Sequence, residues 1–450
     1  MPNDWCKAII VPIYKKGDKT ECSNYRAISL LSIPGKVYTG VLQRRLKKYA
    51  EEAMSEEQAG FRKERGTMDQ IFVIRQLSEK YIEMNRTLYN NFIDYKQAFD
   101  SVWQEGLWKI LRHCGVPEEL VMLIEDIYSK SESAVRVEGE LTEWFMIKVG
   151  VRQGCGMSSD LFNMLLEIVM RLAKNEEEHG INLNGRPVNN LRFADDIDLI
   201  ADTQGKLQDI TSRVDKSSRR MGLKINVEKT KTMVIGKRHE DLQIRTENGI
   251  LEQVTRFVYL GGLITEDGRC EEDIKRRIGL ACAAFGKLGK MWKARTISTK
   301  TKMKLYHTLV EPVLLYGSEC WTLRKEDERR LLVAEMSWLR RIIGRSRREK
   351  IRNEKTREEL GVDETIIEKI RKRRLRWFGH VRRMEEQRLP NAALHGHVEG
   401  ERSRGRQRKT WIDNIKEDLK EKGTSLAEIG ETIRSREVWR NFIKASSSYR

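Results

Sequence analysis

The chain has 450 residues, 39% of them hydrophobic and 34% charged, with a mean hydropathy of −0.60. That is enough apolar material for roughly two to four lobes, while the lack of any run of about 18 apolar residues excludes a membrane-spanning helix. Lys and Arg total 85 against 67 Asp and Glu, a net charge of +18, which favours polyanionic partners, nucleic acid before an anionic membrane.

The N-terminus (MPNDWCKAIIVPIYKKGDK) lacks the charged start and unbroken apolar core of a signal peptide. It reads instead as an apolar strand, AIIVPIY, closed by a Lys/Gly turn. A helix follows with Val37, Val41, Leu42 and Leu46 on one face. QAGFRKERGT is a basic loop, and MDQIFVIRQLSEKYIEMN has the spacing of an amphipathic helix. TLYNNFIDYKQAFDSV gives a short apolar strand ending on an acid, then a helix; residues 118–147 suggest a further helix and a hairpin. GVRQGCGMSSDLFNMLLEIVMRLAK is a glycine-rich loop opening a long apolar helix, and NLRFADDIDLIAD is two strands joined by a tight turn. A helix over 205–221, the segment GLKINVEKTKTMVIG and a hairpin around FVYLGGLIT come next. From about residue 270 the pattern is almost wholly helical, with a basic loop, GERSRGRQRKTW, late in the chain; no internal repeat is visible.

The seven cysteines (Cys6, Cys22, Cys114, Cys155, Cys270, Cys282, Cys320) are scattered, without a CxxC pair, and read as free thiols. His380, His395 and His397 have no cysteine partners nearby, so no zinc knuckle is expected. Residues 341–450 carry 30 Lys and Arg against 18 Asp and Glu, so two-thirds of the excess charge lies in the last quarter.

FADD is the sharpest signal. Two adjacent acids between apolar strands cost several kcal/mol if buried alone, and bound cations remove that cost. A surface DD turn is common, so the pair needs support, which Asp94 supplies from the end of a separate strand. Carboxylates from two strands suit a two-metal nucleotidyl transferase. By itself Asp94 reads as a helix N-cap, although Asp100 fits that role better.

Taken in order, WCKAIIVPIYKKGDKTECSNYRAISLL, QAGFRKERGTMDQI, FIDYKQAFDSV, GVRQGCGMSSDLFN, FADDIDLIA, GLKINVEKTK and FVYLGGLIT closely resemble the successive motifs of LINE-type (non-LTR) retrotransposon reverse transcriptases. The resemblance spans about residues 5–265 and continues more loosely through LYHTLVEPVLLYGSECWTL, RLRWFGHVRRM and GRQRKTWIDNI. It implies an α+β right-hand polymerase with an antiparallel-sheet palm. Fingers would cover 1–90, palm 91–265, a helical thumb 266–340, and a basic helical nucleic-acid-binding region 341–450.

Carried over residue by residue, the resemblance makes Asp94, Asp195 and Asp196 the catalytic acids and ligands of two Mg²⁺ ions, with Mn²⁺ a substitute, helped by the Tyr95 carbonyl. Phe99 matches the steric gate against a ribose 2′-hydroxyl; alone it would read as core packing. Gln153 and Gly154 match the loop that positions template base and nucleotide, and Lys229 the lysine near the pyrophosphate, which alone would be a solvated lysine. Arg62 is a triphosphate candidate, since guanidinium grips phosphate bidentately. Tyr259, Leu260 and Gly261 match the primer grip. There are two departures from the pattern: the run Met157, Ser158, Ser159 stands where Leu-Ser-Pro is usual, and Phe193 replaces a frequent tyrosine.

The implied activity is RNA-directed DNA synthesis primed on a nicked target, with template RNA, primer or target DNA and dNTPs as partners. The implied setting is the nucleus, preceded by a cytoplasmic ribonucleoprotein. In the basic quarter, Trp377, Phe378 and Trp411 could stack on bases, or the helix and loop could simply be solvated. The competing reading is a catalytically silent nucleic-acid-binding remnant. An RNA polymerase fits Phe99 poorly, and a splicing maturase fits the ordered motifs poorly. Met1 is expected to mark a truncated frame, because such polymerases normally follow an endonuclease.

Overall fold

The computed structural model describes residues 2–445 apart from 16, 175–179, 184, 237–239 and 403–404. Met1 and residues 403–404 of the expected basic loop therefore lie outside the described residues. After one helical turn at Asn3–Cys6 comes strand β1 (Lys7–Tyr14), antiparallel to β2 (Tyr25–Leu31) and parallel to a strand at Glu132–Val137. Helix α1 (Ile33–Ala53) follows, with Ser32 capping through Gly35 N. Its buried face is Gly35, Thr39, Leu42, Leu46 and Ala50. Val37, expected on that face, is 65% exposed, because the buried stripe is rotated from the one the apolar spacing marks.

Helix α2 (Thr67–Glu83) departs further from expectation. Instead of one apolar stripe it is buried on nearly every side, Arg75 and Gln76 included. One face covers the central sheet, while Ile71 and Phe72 on another face meet the C-terminal helices.

That central sheet contains β3 (Leu88–Ile93), β4 (Asn190–Phe193), β5 (Asp196–Ala201), β6 (Lys231–Ile235) and the two-residue β7 (Glu252–Gln253). Their spatial order is β7-β6-β3-β5-β4, antiparallel except for the β6–β7 pair. All six residues of β3 are buried, as a central strand requires, and its two asparagines find partners in Asp198 and Thr211. Side chains alternate across the sheet. Ile93, Ile197 and Leu199 pack toward helices α3 (Gly156–Ala173) and α4 (Gln204–Arg220). Phe92, Leu191 and Ile200 pack toward α2 and the hairpin of β8 (Arg256–Tyr259) and β9 (Gly262–Thr265). The expected α+β architecture with an antiparallel palm sheet is therefore present.

Beyond residue 266 the chain is helical, as its pattern predicts. Helix α5 (Glu271–Lys287) joins the rest through Asp273, which accepts from Arg75 Nη2 at 2.8 Å, Trp321 Nε1 at 2.9 Å and Leu263 N at 3.0 Å. Helix α6 (Ile366–Arg382) and helix α7 (Trp411–Glu421) are cross-linked by a buried bidentate pair, Arg374 to Asp418 at 2.8 and 2.9 Å. This takes Phe378 and Trp411, though not the half-buried Trp377, out of the expected set of stacking aromatics. Phe378 is 3% exposed, and Trp411 is fully buried with its ring 4.9 Å from that of Phe72. Many cations of RKRRLRWFGHVRRM are also committed, Arg371 to Glu421, Lys372 to Glu364 and Arg373 to Glu319. Among the described residues no helix is long and apolar enough to cross a membrane.

Candidate active site

The apolar run of β3 stops at Ile93, which pairs with Ile197 of β5. Asp94 follows Ile93, and Asp196 precedes Ile197 on the neighbouring strand, close enough that the Asp94 charge acts on both Asp195 and Asp196. Asp195 sits beside them in the turn joining β4 and β5, closed by the Phe193–Asp196 pair. FADD therefore forms the tight hairpin read from its pattern, and Asp94 the acidic end of a neighbouring strand.

The electrostatics follow from that crowding. Burial and then the charges of Asp195 and Asp94 push the Asp196 carboxyl up to about 6. Asp195 is likewise raised, by burial first and then by Asp94, with Arg26 opposing. Asp94 Oδ1 is enclosed and accepts no hydrogen bond, and Lys229 Nζ stands 3.6 Å from it. An acceptor without a donor beside two crowded carboxylates is a donor set suited to divalent cations. Among the described residues no group of three or more His, Cys, Asp or Glu side chains is placed to hold a metal ion; a polymerase centre is ordinarily completed by substrate oxygens.

Lys229 owes its position to the segment preceding β6. The Asp94 carbonyl accepts from Asn226 N at 2.8 Å, Asp94 N donates to the buried Thr230 hydroxyl at 3.1 Å, and Tyr95 bridges Ile225. The Tyr95 ring is buried, its hydroxyl 2.7 Å from Ser218 Oγ.

Phe99, in a short turn at Ala98–Asp100, stacks on Phe162 of α3 with centroids 4.5 Å apart and remains half-buried. Gln153 donates to both Asp100 oxygens at 2.9 Å, and its carbonyl accepts from Ser29 N of β2 at 2.9 Å. Asp100 thus anchors the Gln153 loop. It is not a helix N-cap, the helix beginning at Gln104 after Trp103. Gly154 has φ +115°, and a Cβ there would lie 2.7 Å from the Ser29 carbonyl, so the loop can run along β2 only with glycine.

Arg62 is committed to its own loop and to Glu51. Its side chain is 7% exposed, bonded to Glu51 Oε1 and to the carbonyls of Ser55 and Gln58. Arg26, which nothing within NYRAISLL singles out, is exposed on β2 and lowers the Asp195 pKa by its charge. Only the folded arrangement reveals it. Tyr259 is buried against Phe92, while Leu260 and Gly261 form the tip of the β8–β9 hairpin. That tip is held from α5 and beyond: Tyr316 donates to the Leu260 carbonyl at 2.8 Å, and Arg276 to the Gly261 carbonyl at 3.1 Å.

An antiparallel sheet that carries acids at the end of one strand and at the turn of the neighbouring hairpin, backed by helices on both faces, has the build of the palm of a right-hand polymerase. The sequence profile of the reverse transcriptase (RNA-dependent DNA polymerase) family matches residues 13–264, and the chain belongs to that family. Among curated relatives, a transposon-derived protein of Caenorhabditis elegans is 29% identical over 53% of this chain and 88% of its own length. The Pol polyprotein of retrotransposable element R2 from Popillia japonica is 24% identical over 70% of this chain and 45% of its own. The RNA-directed DNA polymerase of mobile element jockey from Drosophila melanogaster is 25% identical over 76% and 38%. The chain therefore spans less than half of the R2 and jockey proteins. The LINE-type recognition made from the motifs stands, and divalent-metal dependence goes with the family.

Proposed function

We propose that this chain carries out RNA-templated DNA synthesis for a non-LTR retrotransposon, extending a 3′-hydroxyl on a nicked target strand. The observation that carries the reading is the placing of Asp94 at the end of β3 beside the β4–β5 turn that holds Asp195 and Asp196, with Lys229 beside Asp94. Two Mg²⁺ ions, or Mn²⁺ in their place, held by the three aspartates and the Tyr95 carbonyl would activate the primer hydroxyl and neutralise the departing pyrophosphate. Lys229 donates a proton toward that leaving group. Gln153 and Gly154 carry the template base and incoming dNTP along β2, and Arg26 meets the triphosphate. Phe99 closes the sugar pocket against a 2′-hydroxyl, and the Tyr259–Gly261 hairpin supports the primer end.

Residues 1–90, 91–265 and 266–340 serve as fingers, palm and thumb, and the excess charge of 341–450 grips template RNA or target DNA. The work is done in the nucleus, after a cytoplasmic ribonucleoprotein stage. Primer extension on poly(rA)/oligo(dT) with Mg²⁺ tests the reading, with the Asp195→Ala, Asp196→Ala double variant as comparison. Template-dependent dTTP incorporation by the unmutated chain alone is expected. Its absence would sink the enzyme reading and leave a nucleic-acid-binding remnant.

A further inference from the structure

The turn that presents the two adjacent aspartates is strained. Ala194 holds φ +58°, a left-handed conformation that is unfavourable for a residue with a Cβ, so its surroundings must impose it. The hydrogen bonds there identify what does. Gln58 is fully buried, and its carboxamide is used at both ends on one residue. Oε1 accepts from Ala194 N at 2.9 Å, and Nε2 donates to the Ala194 carbonyl at 3.2 Å. The same Oε1 accepts from Gly60 N at 2.8 Å, which folds the side chain back onto its own loop.

That loop is itself fixed. Gln58 bridges Arg192 in parallel, Ala59 N donates to the Arg192 carbonyl and Arg192 N to the Glu57 carbonyl, each at 2.9 Å. Gln70 Nε2 spans the carbonyls of Glu57 and Arg192 at 3.0 and 3.1 Å. Asn163 of α3 donates to the Gly60 carbonyl at 2.8 Å. The approach is so close that a Cβ on Gly60 would fall 2.2 Å from Ala194 N. Residues 57–60 thus run as a short extra strand along the outer edge of β4, and the Gln58 carboxamide carries that support across to the backbone of the aspartate turn.

We infer that Gln58 is a positioning residue: by clamping both backbone groups of Ala194 it holds the turn that aims Asp195 and Asp196 at the metal position. The inference rests on the polymerase reading for its catalytic consequence, but the clamp itself does not. Ionised, the glutamate of Gln58→Glu can still accept from Ala194 N and Gly60 N yet cannot donate to the Ala194 carbonyl, so the comparison is made at high pH; the methionine of Gln58→Met can do neither.

The test compares the full chain with Gln58→Glu and Gln58→Met. Hydrogen exchange at the Ala194 amide should quicken about tenfold or more in Gln58→Met, with Gln58→Glu between it and the unmutated chain. Mn²⁺ affinity, titrated through the electron paramagnetic resonance signal of the free ion, should fall by about 10–100-fold in the same order. On poly(rA)/oligo(dT), kcat should drop by about 100-fold with the KM for dTTP little changed. Should Gln58→Met fail to fold, Gln58→Glu carries the same three readings. Unaltered exchange at Ala194 and unaltered Mn²⁺ affinity in the folded variants would overturn the inference. If the unmutated chain incorporates no dTTP while exchange and Mn²⁺ affinity respond as stated, the clamp stands and the polymerase reading falls.

Discussion

Asp196, next to Ile197 on β5, stands within electrostatic reach of Asp94, next to Ile93 on β3, the two isoleucines being paired. Two carboxylates so placed repel unless a cation or a proton intervenes. Without a cation the protein must bear that repulsion. The Asp196 carboxyl, pushed up to about 6 in the folded state by burial first and then by Asp195 and Asp94, lies above the ordinary aspartate value of 3.8, so the folded state binds this proton more tightly than the unfolded chain. Stability therefore falls as pH rises through the window from about 4 to 6 and is lowest above it. Without divalent cations at pH 7.5, Asp196→Asn should melt roughly 1–3 °C higher than the unmutated chain, a modest shift because the side chain still meets solvent. The advantage should vanish near pH 4. Equal melting at both pH values would remove the repulsion from the account.

Lys229 is exposed and its pairing with Asp94 is long, so it adds little to stability. Its value lies in proton donation. Lys229→Ala should slow single-turnover dTTP addition by about 100-fold while melting stays unchanged. A rate like that of the unmutated chain would return it to the solvated surface.

Phe99→Ala should raise ribonucleotide incorporation relative to deoxynucleotide. Because it also loses the stack on Phe162, some stability goes too, about 1–3 kcal/mol for a half-buried ring. Unchanged sugar discrimination in a folded variant would leave Phe99 as packing alone.

Arg26 and Arg62 are separable. Arg26→Gln should raise the KM for dTTP by about tenfold or more with little change in melting, the signature of a missing charged grip on phosphate. Arg62→Gln should instead lower the melting temperature, because it strips donors from the Ser55 and Gln58 carbonyls. The reverse pattern would restore Arg62 as the triphosphate ligand.

Trp411 is fully buried, and its indole N–H donates to the Glu319 carbonyl at 2.9 Å. Trp411→Ala should cost about 3–5 kcal/mol in denaturant unfolding. Deleting residues 341–450 should expose Ile71 and Phe72 and yield an aggregating chain, so the nucleic-acid grip is better tested by Arg402→Gln with Arg406→Gln, both exposed. That pair should flatten the salt dependence of RNA binding by about one unit for each phosphate no longer neutralised. An unchanged slope would leave these arginines as solvated surface.

Local pattern carried a good deal of this. The alternation of NLRFADDIDLIA determined a hairpin with acids at its turn, the apolar run LYNNFI a buried strand ending on Asp94, and the ordered motifs the family, because each is written in contiguous residues and in the periods of strand and helix. What the tertiary structure decided lies between segments far apart in the chain. α2 is buried all round, because helices from the far end of the chain cover what its spacing leaves as the polar side. Phe378 and Trp411 are core residues for the same reason, and basic composition could not tell an Arg374 paired internally from one facing solvent. Arg26 and Gln58 were silent in the sequence: a charge near Asp195 and a clamp on Ala194 are matters of distance in space, and no periodicity encodes which loop will lie against a turn 136 positions away.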